Sequence, residues 1–225
     1  MPRARSKKQT DWQTAAPHEN ESGCLSLFSL SIFAVILITC LITALSFNTP
    51  IKTSAQTDSQ HISPIFTREV QHWDSDITRW ANASALDPNL VAVILQIESC
   101  GNPFARSSVG AMGLFQVMPF HFGFGENPYN PETNALRGLS YLARSIQAAN
   151  GDARLALAGY NAGIGVIARN EWTWPAETKR YVYYGMPIYE DARSGMSSSS
   201  MLDEWYQKYG AGLCRDASEQ LGLNN

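Results

Sequence analysis

The sequence predicts a mostly α-helical domain behind a single N-terminal membrane-spanning helix. Three observations predict it. Apolar residues between about 66 and 190 recur at three- and four-residue steps, the period of a helix. Asp-Pro, Asn-Pro and Asn-Gly pairs punctuate those stretches where helices start and stop. No run of alternating apolar and polar residues marks a strand.

The membrane helix comes first. Of 225 residues only 16% are charged, and the shortage is local. No Asp, Glu, Lys, Arg or His lies between Glu21 and Lys52. Within that gap Leu25–Phe47 is a 23-residue apolar run. At about 1.5 Å per residue it crosses a hydrocarbon core of about 30 Å with some tilt. A buried core helix would carry a polar stripe, which the few Ser and Thr here do not form. A cleavable signal peptide has a shorter apolar region of about 7–15 residues. Thr53-Ser54-Ala55 would be its cleavage site, and the chain would then be secreted. Arg3, Arg5, Lys7 and Lys8 place the N-terminus in the cytoplasm and the rest outside. The expected organisation is a cytoplasmic segment 1–23, an anchor 24–47 and a flexible linker 48–64. A helical domain 65–190 and a C-terminal tail 191–225 follow.

Charge excludes one class of partner. Residues 1–23 hold four Lys/Arg and three Asp/Glu, which leaves the remainder 13 and 17, a net −4. Nucleic-acid binding through clustered basic residues is not expected. Cys100 and Cys214 are the two cysteines of the outer part. An oxidising compartment permits a bridge between them, and two free buried thiols are the other reading. Neither has a CxxC or Cys/His partner, and His18, His61, His72 and His121 are scattered. No metal or cofactor is expected.

The helices follow in order. Val70, Trp73, Ile77 and Trp80 predict an amphipathic helix. Asp87-Pro88 caps and opens the next, whose Leu90–Ile97 run is apolar enough to be central. It breaks at Cys100-Gly101-Asn102-Pro103. Residues 101–131 should be irregular, with a short helix around Leu114–Met118. Asn130-Pro131 opens a helix with Leu136, Leu139, Leu142 and Ile146 on one side, ended by Asn150-Gly151. Asp152 caps another, a further helix covers Ala176–Tyr184, and the tail holds one at Met201–Tyr209.

Three features could carry chemistry. Glu98 ends the apolar helix beside a loop. Burial there would raise its pKa and suit it to general acid work, whereas a helix-end Glu pointing to water would do nothing. Gly110-Ala111-Met112-Gly113-Leu114-Phe115-Gln116 pairs glycines with a Gln able to donate and accept, and it also reads as a plain tight turn. Ala158-Gly159-Tyr160-Asn161-Ala162-Gly163 flanks a Tyr-Asn pair with small residues, and it also reads as a helix C-cap. A late aromatic cluster runs from Trp172 to Tyr189.

Together Glu98-Ser99, Gly113-Leu114-Phe115-Gln116, Ala158–Gly163 and Glu177-Thr178-Lys179-Arg180-Tyr181-Val182 resemble the lytic transglycosylase domain of the soluble lytic transglycosylase type. The resemblance covers about residues 70–185. It implies a lysozyme-like fold, related to goose-type lysozyme, acting on the glycan strands of peptidoglycan. It further implies cleavage of the β-1,4 bond from N-acetylmuramic acid to N-acetylglucosamine with a 1,6-anhydro product. Glu98 would be the acid and then the base. Ser99 would orient it or bind sugar, and Gln116 and Asn161 would hold N-acetyl and hydroxyl groups. Tyr160 would line the cleft, Tyr181 would hydrogen-bond Glu98, and Met112, Gly113 and Phe115 would shape an apolar wall. Phe115 stands where the family usually has Met, and Gly159 where it has Ala, which should add slack. The motifs show no second catalytic carboxylate, since Glu126 and Glu132 match no family position; most glycosidases use two. A water-using hydrolase and a non-catalytic wall-binding module are the competing readings.

Overall fold

The computed structural model describes residues 61–223. The expected cytoplasmic segment 1–23, the anchor 24–47 and most of the linker lie outside the described residues. Among those described, no helix is long and apolar enough to cross a membrane.

The described body is helical. Its α-helices are α1 (Arg68–Gln71), α2 (Asp74–Ala83), α3 (Pro88–Ser99), α4 (Pro131–Ala148), α5 (Ala153–Ala162), α6 (Ala176–Arg193), α7 (Ser200–Trp205) and α8 (Ala211–Leu221). Short 3-10 turns sit at Pro119–His121, Ile164–Val166 and Glu171–Thr173, and a π turn at Tyr206–Gly210. The extended pairing among the described residues is limited to isolated bridges from Met112 to Arg106 and to Val117.

The starts follow from local chemistry. Asp87, Asn130 and Asp152 each accept a backbone N–H of the first helical turn, satisfying donors that have no partner inside the helix. Pro88 and Pro131 occupy first-turn positions, where a missing N–H costs nothing. The centre is α3. Every residue from Val91 to Gln96 is buried, which accounts for its nearly unbroken apolar run. It packs against α2 and α6, and α5 packs between α4 and α6.

Four expectations need correction. Residues 114–118 form a turn rather than a short helix, because Val117 pairs with Met112 in both directions. Leu136 is 60% exposed; the inward stripe of α4 is Ala135, Gly138, Leu139, Leu142 and Ser145. The helix expected at Ala176–Tyr184 runs on to Arg193, with Pro187 inside it. Gly159 supplies closeness rather than slack, since a Cβ there would stand 2.3 Å from Ser145 Oγ. That absent methyl lets α5 lie directly on α4.

Residues 61–64 of the expected linker are packed onto the body. Ile62 and Ser63 are buried, and their N–H groups donate to Asp74 and Asn89. The tail is equally held. Cys100 and Cys214 are joined by a disulfide, with their Cα atoms 5.0 Å apart. Beside it the buried Glu69 accepts from Arg68 and from Ser218 of α8. Hydrogen bonds to that carboxylate outweigh its burial and hold its pKa below the usual value. The bridge closes a separation of 114 residues. Replacing both cysteines by Ser should lower unfolding free energy by about 2–4 kcal/mol. Denaturant titration of the purified protein with and without reductant measures it.

Candidate active site

Glu98 occupies the last turn of α3. The helix stops at Cys100, whose φ of 51° is left-handed and turns the chain into the Gly101 loop. The residue keeps some exposed surface, but its carboxyl is enclosed by protein atoms. Burial is the main cause that pushes its pKa up to about 8, and the nearby Glu177 charge adds to it. Tyr181 opposes the shift. Its hydroxyl is buried and makes no hydrogen bond of good geometry among the described residues, so the expected bond to Glu98 is an approach rather than a completed contact.

Glu98 faces a cavity of about 160 Å³. It is lined by Ile97 and Asn161, and by Glu177, Arg180, Tyr181 and Tyr184 of α6. Trp205, Tyr209 and Leu213 of the tail line it as well. A second cavity of about 280 Å³ adjoins at Asn161 and is lined by Gln116, Tyr160, Tyr141 and His121, among others. The two share Asn161 as a lining residue.

The supporting residues divide by what they touch. Tyr160 donates its hydroxyl to Phe115 O at 2.8 Å, and its ring meets Tyr141 edge-on at 5.8 Å. Burial and the Glu98 charge hold its hydroxyl well above its ordinary pKa, so it stays protonated. Asn161 accepts from Thr178 at 2.8 Å, which leaves its amide N–H groups for a ligand. Gln116 donates its amide to Gly113 O and Ala105 O, and the residue lines the second cavity. Its own φ is 45°, a conformation that costs a non-glycine residue and that the loop bonds enforce.

Ser99 and Phe115 do not reach the cavity. Ser99 is fully buried, donates to Leu114 O at 2.7 Å and accepts from Gly101 N–H. It can orient Glu98 by fixing the helix end but cannot bind sugar. Phe115 is fully buried edge-on to Trp80, so it is core and not cleft wall. Gly113 is buried against the Asn134 amide, and Met112 is half-buried in the bridged loop.

Two sets of residues escaped the sequence reading. Asn134 is completely buried, accepts from Phe115 N–H and donates to Met112 O and Pro128 O. It holds the Gln116 loop, and no spacing in the chain marks it. Trp205, Tyr209 and Leu213 reach the Glu98 cavity from a tail beyond the motifs. Glu177, in the last motif, is the second carboxylate on that cavity. Glu126 and Glu132 are taken by Arg137 and by Arg79 with Trp80. Glu69, Cys100 and Cys214 bring ligand-type atoms within 4.8 Å of one another, but the two sulfurs are bonded together, so the group is a structural junction.

Residues 75–181 match the family model described as "Transglycosylase SLT domain". This part of the chain is similar to that family. The SLT match contains Glu98, Gln116, Tyr160, Asn161 and Tyr181 and stops before the tail. A transglycosylase of Enterobacteria phage PRD1 is 41% identical over 99 residues, covering 43% of this chain and 35% of the phage protein. Membrane-bound lytic murein transglycosylase E of Buchnera aphidicola is 31% identical over 87 residues, covering 33% of this chain and 39% of that protein. The chain therefore spans little more than a third of the length of these relatives. Lytic transglycosylase Slt of Pseudomonas aeruginosa, solved as an inactive mutant, superposes with a TM-score of 0.45 at 26% identity, over 53% of this chain and 24% of that one.

Two outcomes test the geometry. Asn134→Ala strips a partner from the buried Phe115 N–H and should destabilise the fold by about 1–3 kcal/mol in denaturant melts. The second concerns Glu98. Folding raises its pKa from 4.5 to about 8, so the folded chain keeps a proton that the unfolded chain releases between those values. Its stabilising effect is complete below that window and is lost as pH rises through it. Unfolding free energy of Glu98→Gln should show a weaker decline over the same window in pH-dependent denaturant titrations.

Proposed function

We propose that the protein is a peptidoglycan lytic transglycosylase with Glu98 as its catalytic acid and base. The observation that carries the reading is the enclosed Glu98 carboxyl, protonated at neutral pH, in a cavity that shares Asn161 with a second cavity lined by Tyr160 and Gln116. The relatives named lytic murein transglycosylases and the SLT match support it. The lysozyme-like arrangement that the resemblance implies belongs to the same reading.

Glu98 gives its proton to the glycosidic oxygen as the β-1,4 bond breaks, and the substrate's acetamido oxygen stabilises the cationic carbon. The carboxylate left behind then takes the proton of the muramic 6-hydroxyl, whose oxygen bonds to that carbon and closes the 1,6-anhydro ring. An acid with a pKa of about 8 suits both halves, because it is protonated before the step and basic after it. Asn161 and Gln116 hold sugar amide and hydroxyl groups, and Tyr160 lines the cleft.

The membrane anchor at 24–47, with the N-terminus inside and the domain outside, belongs to this proposal. It rests on the apolar run in the sequence and agrees with the membrane-bound relatives.

Hydrolysis is a second reading, favoured by Glu177 on the same cavity, since two carboxylates could activate water. Mass spectrometry of digested sacculi separates the two, because anhydro ends are lighter than hydrolysed ends by one water. Glu98→Gln should cut product release by at least about a hundredfold without unfolding the protein. Glu177→Gln should still yield anhydro ends. Hydrolysed ends from wild type, or undiminished release by Glu98→Gln, would overturn the assignment.

A further inference from the structure

The tail contributes to the Glu98 cavity as well as to stability. α7, the π turn and α8 lie beyond the SLT match, yet they supply Trp205, Tyr209 and Leu213 to its wall. The placement is over-determined. Cys214, next to Leu213, is bonded to Cys100, two residues beyond Glu98. Tyr184 of α6 donates to Glu204 of α7 at 2.9 Å, and Lys208 grips the same carboxylate. The Tyr209 ring meets Tyr184 edge-on at 5.7 Å.

Arg180 stands at this corner. Its guanidinium carbon lies 5.1 Å from the Tyr209 ring centroid, and its side chain lines the Glu98 cavity. Among the described residues Arg79, Arg137 and Arg154 are paired with carboxylates, while Arg106, Arg144 and Arg169 are not and Arg144 stacks on Tyr141, so what sets Arg180 apart is its place on the Glu98 cavity. Arg180 has no such partner, although Glu177 lies one helical turn before it and lines the same cavity. An exposed, unpaired guanidinium that stacks on an aromatic ring and lines the same cavity as the acid is placed to receive an anion. The rest of the outer chain is net negative, so this attraction is local.

We propose that the Arg180–Tyr209 corner binds a carboxylate carried by the muramyl substituent of the glycan next to the scissile bond. The inference rests on the glycan-cleaving reading of the Glu98 cavity. The carboxylate has two sources, the free lactyl group of a peptide-less muramic residue or the acidic peptide stem attached to it. In either case the tail makes the cavity distinguish muramic from glucosamine units, which carry no carboxylate. No bond is made or broken at this corner.

Calorimetric binding tests it without turnover. Full-length protein carrying Glu98→Gln is titrated with three neutral or anionic probes: a chito-tetrasaccharide, a peptide-less glucosaminyl-muramyl tetrasaccharide, and the same oligomer bearing peptide stems. The carboxylate-bearing probe should bind about tenfold tighter than the chito-oligomer. Adding Arg180→Gln should abolish that advantage and leave chito-oligomer affinity unchanged. Arg180→Lys should restore part of it, and Tyr209→Ala should weaken it. Loss confined to the stem-bearing probe assigns the stem as the source, loss confined to the peptide-less muramyl probe assigns the free lactyl group, and loss with both shows that the corner takes either carboxylate. No preference in the parent, a preference that survives Arg180→Gln, or an equal loss for all three probes would overturn the proposal. Anhydro product from wild type is read separately, so failure of this corner and failure of the transglycosylase reading are distinct results.

Discussion

The end of α3 is the joint on which the structure depends. Three consecutive residues leave it in three directions. Glu98 faces the cavity, Ser99 bonds inward to Leu114 O, and Cys100 is bonded to Cys214. Successive helical residues point about 100° apart, so neighbours in sequence serve different neighbours in space. The acid is thus held from one side by the Gln116 loop and from the other by the tail. Its raised pKa is a product of that enclosure.

The loop side is held by buried polar groups. Ser99 and Asn134 have no solvent exposure, and between them they bond to Met112, Leu114, Phe115, Gly101 and Pro128 through backbone atoms. An irregular segment has unpaired N–H and C=O groups, and burying them unpaired would cost more than the bonds return. Side chains replace the secondary structure that the loop lacks. Gly138 and Gly159 then let the helices beneath come close, one against Phe115 and the other against Ser145. Tyr160 is thereby fixed where its hydroxyl reaches the Phe115 carbonyl.

Much of the helical framework was legible because its signals are local. Asp87-Pro88, Asn130-Pro131 and Asp152 act within one turn, and the buried run of α3 follows from its apolar composition. Leu136 misled because one apolar residue fits a stripe by period while its direction is set by which elements lie against the helix. Gly159 misled because a missing side chain reads as freedom until the opposing Ser145 is seen. The 114–118 turn was unreadable because its pairing with Met112 depends on Asn134, sixteen residues beyond the end of that turn.

By itself the sequence determined which residues are candidates for chemistry. Glu98, Gln116, Tyr160, Asn161 and Tyr181 sit in four ordered motifs, and the charge-poor composition removes bulk electrostatic recognition. Only the tertiary structure decided which of these line a cavity and which hold it up. Ser99 and Phe115 turned inward, Glu177 joined the acid, and Arg180, Trp205 and Tyr209 came to face it. Periodicity and capping are read within a turn or two of chain. A cavity is assembled by contacts between segments as distant as Cys100 and Cys214, whose positions no local signal specifies.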